Sequence, residues 1–153
     1  MKKLIVSIVS LLILSVGAAL AYDKQMAASY EKFFDPFEGK AAAKQAHKMK
    51  APDLVKALKN GDEIFVIDVR TAKETGVYSV TLPNSLVVPI DELFRAENLE
   101  RIPEKGKVVI TCKSGMRATM AATGLRHIGF DNVYVLVGGY QELSKAVNPK
   151  TIY

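Results

Sequence analysis

Lys107-Val108-Val109-Ile110-Thr111-Cys112-Lys113-Ser114-Gly115-Met116-Arg117 joins an unbroken apolar strand to a short polar loop and the start of a helix. A strand that is apolar without alternation belongs at the centre of a parallel sheet covered on both faces. In such sheets ligands bind beyond the carboxyl ends of the strands, where loops lead into helix N-termini, and Cys112 stands at that address. A loop of this length curling over the thiol directs several backbone N–H groups at one centre, and the helix N-terminus adds partial positive charge. Both favour the thiolate, so the sequence predicts a thiol pKa below the free-cysteine reference of about 8.5. Gly115 permits the backbone angles of the curl. Lys113 and Arg117 are cations placed to hold an incoming oxyanion, Arg117 with its two-pronged fork. The alternative is a thiol that only fills the core, as free Cys often does; neighbours such as Lys113, Ser114 and Arg117 argue against it.

Working outward, helices and short apolar strands alternate. Pro52 opens a helix whose Leu54, Val55 and Leu58 share a face and which Asn60-Gly61 stops. Ile64-Phe65-Val66-Ile67 reads as a strand ending at Asp68-Val69-Arg70, and Leu86-Val87-Val88 as another that stops at Pro89. Asp91 caps a predicted helix through Leu93 and Phe94, and a longer helix is predicted over Arg117 to His127. Val133-Tyr134-Val135-Leu136 is the last predicted strand and Tyr140 to Ala146 the last helix. This alternation implies an α/β fold with a mainly parallel central sheet and helices on both faces.

A chain of 153 residues, 49% hydrophobic and 24% charged, has room for one full core and not for two. Met1-Lys2-Lys3, the apolar run from Leu4 to Ala21 and its closing Ala19-Leu20-Ala21 read as an export signal cleaved after Ala21. Retention of that run as a membrane anchor is the alternative, since its length approaches the ~20 residues that span a bilayer. Either reading puts the remainder beyond a membrane, most simply in the periplasm, where an unpaired thiol risks oxidation unless it has a use. Residues 22–50 are expected to form a helical extension whose Tyr30, Phe33, Phe34 and Phe37 pack on the domain, with a partner-docking arm as the alternative. His47 falls there as a solvated helix residue. Residues 51–153 form the predicted domain.

The formal charge of +5 loses two positive charges with Lys2 and Lys3, and the rest is interspersed with acids, so nucleic acid is not an expected partner. A single Cys excludes an intramolecular disulfide and a Cys-based zinc site, and His47 and His127 are far apart, so no metal is expected.

These pieces, in this order, resemble the rhodanese family of sulfurtransferases over roughly residues 50–147. Ile67-Asp68-Val69-Arg70 with Glu74 is similar to the family's first signature, and Cys112 to Arg117 to its active-site loop. Gly129-Phe130 through Val133, Leu136, Gly138 and Gly139 is similar to its C-terminal signature. The resemblance implies that Cys112 is the nucleophile that accepts a sulfane sulfur as a persulfide, cradled by the loop amides of Lys113, Ser114, Gly115, Met116 and Arg117. It implies that Asp68 and Arg70 support the loop, and that no cofactor is needed. Two departures stand out: Val80-Thr81-Leu82-Pro83-Asn84-Ser85 replaces the family's frequent Gly-His-Ile-Pro-Gly-Ala, and its aromatic after the double Gly is replaced near Leu143.

Related phosphatases and arsenate reductases separate Cys from Arg by five residues; here four intervene, a tighter cradle suited to one persulfide sulfur. The implied partners are a small anionic sulfur donor, thiosulfate or polysulfide, and a thiophilic acceptor. A second reading is a carrier that hands its sulfur to a periplasmic or membrane-bound enzyme of sulfur metabolism. Ser114 is read either as a donor to a sulfite oxygen or as a turn residue, and His127 as a packing or capping residue.

Overall fold

The computed structural model describes residues 22–147 and residue 150. The export-signal reading of residues 1–21 lies outside the described residues. Among the described residues, five strands form one sheet in the order β1-β5-β4-β2-β3, with every neighbouring pair parallel. In chain order the elements are α1 (Lys24–Phe34), α2 (Gly39–Gln45), β1 (Lys48–Met49), α3 (Ala51–Lys59), β2 (Ile64–Asp68) and α4 (Ala72–Thr75). There follow β3 (Ser85–Val87), α5 (Ala96–Leu99), β4 (Lys107–Thr111), α6 (Met116–His127), β5 (Val133–Leu136) and α7 (Gly139–Ala146). Among the described residues no helix is long and apolar enough to cross a membrane.

The apolar run of β4 is explained by its place between β2 and β5, with one core on each face. Val108, Ile110 and Cys112 point to the face covered by α6, while Val109 packs with Leu54 of α3 and Leu136 on the other. Helix α6 meets the sheet through Ala118, Ala121, Ala122 and Leu125, all fully buried, and the small alanines allow a close approach. On a flank of α6 the Phe94 ring lies so near Gly124 that a Cβ there would stand 2.6 Å from Phe94 Cζ.

Three features differ from the sequence reading. The helix expected at Asp91 is instead a pair of tight turns, Glu92 N–H to the Pro89 carbonyl at 2.9 Å and Arg95 N–H to the Glu92 carbonyl at 3.1 Å. These turns drop Leu93 into the core, and the Asn98 side chain donates to the Glu92 carbonyl at 2.9 Å. The short α5 forms only afterwards. Second, the stretch before residue 51 contributes a strand: β1 pairs with β5, with the Val135 N–H donating to the His47 carbonyl at 2.8 Å. Two residues are too few for any periodicity to announce a strand. Third, His47 is no helix residue. It leaves α2 with φ of +42° and stacks on Tyr134 with ring centroids 4.9 Å apart.

Helix α1 lies against the C-terminal end of α6. Tyr30 stacks on His127 at 4.0 Å, Phe33 meets the same ring edge-on at 5.3 Å, and Ser29 Oγ lies 3.1 Å from His127 Nε2. Arg126 donates to the Gln45 carbonyl, tying α2 to the same end of α6. His127 therefore packs, as its sequence context suggested.

Candidate active site

Cys112 follows β4 directly, on the side of the sheet that α6 covers, and is 1% exposed. Its Sγ accepts the Gly115 N–H at 3.1 Å, so the loop curls back over the sulfur. Gly115 holds φ of +98°, a conformation that side-chain-bearing residues rarely adopt. The Gly115 carbonyl accepts the Thr119 N–H and Thr119 Oγ1, both at 2.9 Å, which anchors the loop to the first turn of α6.

The start of α7 holds the loop from the other side. The Tyr140 N–H donates to the Cys112 carbonyl at 2.8 Å and the Gln141 N–H to the Lys113 carbonyl at 3.1 Å. This contact requires Gly139: its φ is +54°, and a Cβ would fall 2.2 Å from the Cys112 carbonyl oxygen. The double Gly thus serves the cysteine loop through main-chain geometry.

Arg117 lies in the first turn of α6 and forks onto Glu74, with Nη1 to Oε2 at 2.7 Å and Nη2 to Oε1 at 2.8 Å. Glu74 is itself fixed: its carboxylate accepts the Thr71 N–H at 3.0 Å and Thr71 Oγ1 at 2.9 Å in the capping box of α4. Arg117 holds the Glu74 carboxyl far below the usual carboxylate range, with the Thr71 N–H next in effect. The guanidinium is raised in turn, by Glu74 foremost and also by the Cys112 sulfur beside it. Lys113, Ser114 and Met116 are exposed around the buried thiol, Met116 at 75%.

Asp68 and Arg70 do not touch the sulfur. Asp68 is 0% exposed and Arg70 2%, and the two form a buried pair, with Arg70 Nη2 2.8 Å from Asp68 Oδ2 and Nε 3.1 Å from both carboxylate oxygens. Burial opposes the Arg70 charge, but the hydrogen bonds to Asp68 outweigh it and raise the pKa. The guanidinium lies 3.7 Å from the centroid of the Tyr140 ring and 4.6 Å from that of Tyr78, and donates to the Tyr78 carbonyl at 2.8 Å. Burial, then Asp68, pushes the Tyr140 phenol well above its usual pKa. The pair therefore reaches the loop through Tyr140, whose N–H holds the Cys112 carbonyl.

Sequence reasoning quoted Glu74 without giving it a task, and named Tyr140 only as the start of the last helix. Thr71-x-x-Glu74 is a capping-box pattern and announces a helix start, but nothing local indicates that its carboxylate also meets Arg117. Among the described residues no three of His, Cys, Asp and Glu gather in a way that could hold a metal.

A buried thiol under a backbone N–H, with the exposed Lys113 and the partly buried Arg117 in the same loop, is an arrangement that can serve a nucleophile toward a small anion. The profile of the Rhodanese-like domain matches residues 51–146. A rhodanese domain-containing protein of Drosophila melanogaster, CG4456, is 31% identical over 58% of this chain and 88% of its own. The adenylyltransferase and sulfurtransferase uba4 of Ogataea parapolymorpha is 27% identical over 56% of this chain, which spans only 21% of that protein. A crystal structure of a rhodanese-related protein from Thermoplasma volcanium superposes with a TM-score of 0.57 at 27% identity, covering 67% of this chain and 95% of that one.

Proposed function

The chain belongs to the rhodanese-like domain family, a membership that supports sulfurtransferase-type activity, and from it we propose transfer of a sulfane sulfur through a persulfide on Cys112. The donor is thiosulfate or a polysulfide and the acceptor a thiophile such as cyanide or a thiol. The Cys112 thiolate attacks the outer sulfur of the donor, the S–S bond to the donor's inner sulfur breaks, and the departing sulfite or shortened chain leaves with the electron pair. Lys113 and Arg117 are the loop's cations for that departing anion, Arg117 while forked onto Glu74, Ser114 is exposed beside them, and the Gly115 N–H supports the sulfur. With one Cys in the chain, no internal thiol can resolve the persulfide, so an external acceptor must. The reading keeps residues 1–21 as an export leader and the periplasm as the location.

The observation that carries this reading is the Cys112 sulfur held at the end of β4 by the Gly115 N–H. Intact-mass measurement of protein exposed to thiosulfate, polysulfide or an organic persulfide is expected to show one added sulfur in the wild type and none in Cys112→Ser. Absence of added sulfur from every donor defeats the proposal.

One observation favours a second reading, a carrier that delivers sulfur to a partner enzyme. Met26 and Tyr30 of α1 and Phe94, Met120 and Ile128 line an open, mainly apolar groove of about 760 Å³, and all five are exposed. Many turnovers of thiosulfate and cyanide to thiocyanate support the enzyme; stoichiometric loading with negligible turnover supports the carrier.

A further inference from the structure

Arg117 is the guanidinium of the cysteine loop, yet its charge is already committed. Glu74 accepts from both terminal nitrogens, at 2.7 and 2.8 Å. The carboxylate comes from another element, 43 positions earlier in the chain, and is prevented from swinging away by two hydrogen bonds from Thr71. A bidentate pair between preorganised partners keeps its geometry even though the two side chains are 27% and 30% exposed. Of the loop's two cations, Arg117 therefore comes with an equal negative charge, and the exposed Lys113 is left to face an anion. A dianionic donor is attracted by Arg117 and repelled by Glu74, and the same applies to a dianionic leaving group. A donor with little charge at its reactive end is indifferent to both.

We propose that Glu74 is a specificity-determining residue that turns the site away from dianionic thiosulfate and toward organic persulfides, donors with at most one negative charge at the sulfane end. The inference rests on the sulfur-transfer reading of Cys112. In the favoured step, Cys112–S⁻ and R–S–SH give Cys112–S–SH and R–S⁻: one S–S bond forms, one breaks, the thiolate leaves with the electron pair, and no net oxidation occurs. With thiosulfate the same displacement expels sulfite as a dianion, into a site whose guanidinium is already paired.

The test compares kcat/KM for thiosulfate and for glutathione persulfide, with cyanide as acceptor and the uncatalysed rate subtracted, in wild type and Glu74→Gln. Gln keeps the capping box and a hydrogen-bonding partner for Arg117 while removing the charge. The ratio of thiosulfate to persulfide efficiency is expected to rise on the order of tenfold in Glu74→Gln, from one unit charge removed near the anion. A merely structural Glu74 lowers both efficiencies alike, so an unchanged or lower ratio overturns the proposal. A second measurement removes the exposed cation Lys113 from the comparison: in Lys113→Ala, thiosulfate efficiency is expected to change less than about twofold between about 0.02 and 0.5 M salt. A steep fall in that variant reveals an unneutralised guanidinium and overturns the proposal. If neither donor adds sulfur to Cys112 in the wild type, the sulfur-transfer reading itself fails and takes this inference with it.

Discussion

At the scale of single residues, the cysteine loop depends on side chains that never approach the sulfur. Arg70 is 2% exposed and balances Asp68, which is fully buried. Replacing Arg70 by Met fills similar space but leaves the Asp68 charge alone in the interior, at a cost of about 3–5 kcal/mol. Urea denaturation is expected to show that loss for Arg70→Met, and a much smaller one for Asp68→Asn combined with Arg70→Met, where no charge is stranded. An equal loss in the double variant means that packing of the guanidinium on Tyr140 and Tyr78 carries the stability. Cys112 and Gly115 were legible as residues because the strand, the loop and the glycine are consecutive. Arg117 was legible as a cation but not as half of an ion pair, because its partner lies in a different part of the chain.

At the scale of elements, α1 is an attachment and α6 is framework. No residue of α1 is buried, and it docks through Tyr30, Phe33 and Ser29 on His127. Tyr30→Ala with Phe33→Ala is expected to expose the α1 amides to hydrogen exchange while changing global stability by less than about 1 kcal/mol, because few buried contacts are lost. Loss of protection throughout the sheet in that variant defeats the assignment of α1 as a separately opening unit. The aromatic cluster of residues 22–50 announced such packing; the two-residue β1 inside the same segment did not. Its edge pairing is decided by β5, since the Val137 N–H donates to the Met49 carbonyl at 2.9 Å.

At the scale of the molecule, the Glu74–Arg117 pair ties the segment after β2 to the loop after β4 and links stability to pH. The Glu74 carboxyl is depressed below its ordinary value of 4.5, with Arg117 the largest cause. A depressed carboxyl stabilises the fold above its unfolded-state pKa, and that contribution is lost as pH falls from there toward the folded-state value. The stability difference between wild type and Glu74→Gln is therefore expected to be constant near neutral pH and to shrink below about pH 4.5. A difference that grows on acidification rules out this linkage. The sequence by itself determined the parallel α/β architecture, the strand that carries the cysteine, the glycine-permitted curl of the loop and the place of the thiol at the strand's end. Each of these is a property of consecutive or periodic residues, which local backbone preference and hydrophobic patterning encode. Only the tertiary structure decided that Arg117 is neutralised by Glu74, that Tyr140 transmits the Asp68–Arg70 pair to the Cys112 carbonyl, and that α1 seats on His127. Those contacts join residues far apart in the chain, and they exist because sheet order and crossover helices bring the segments together.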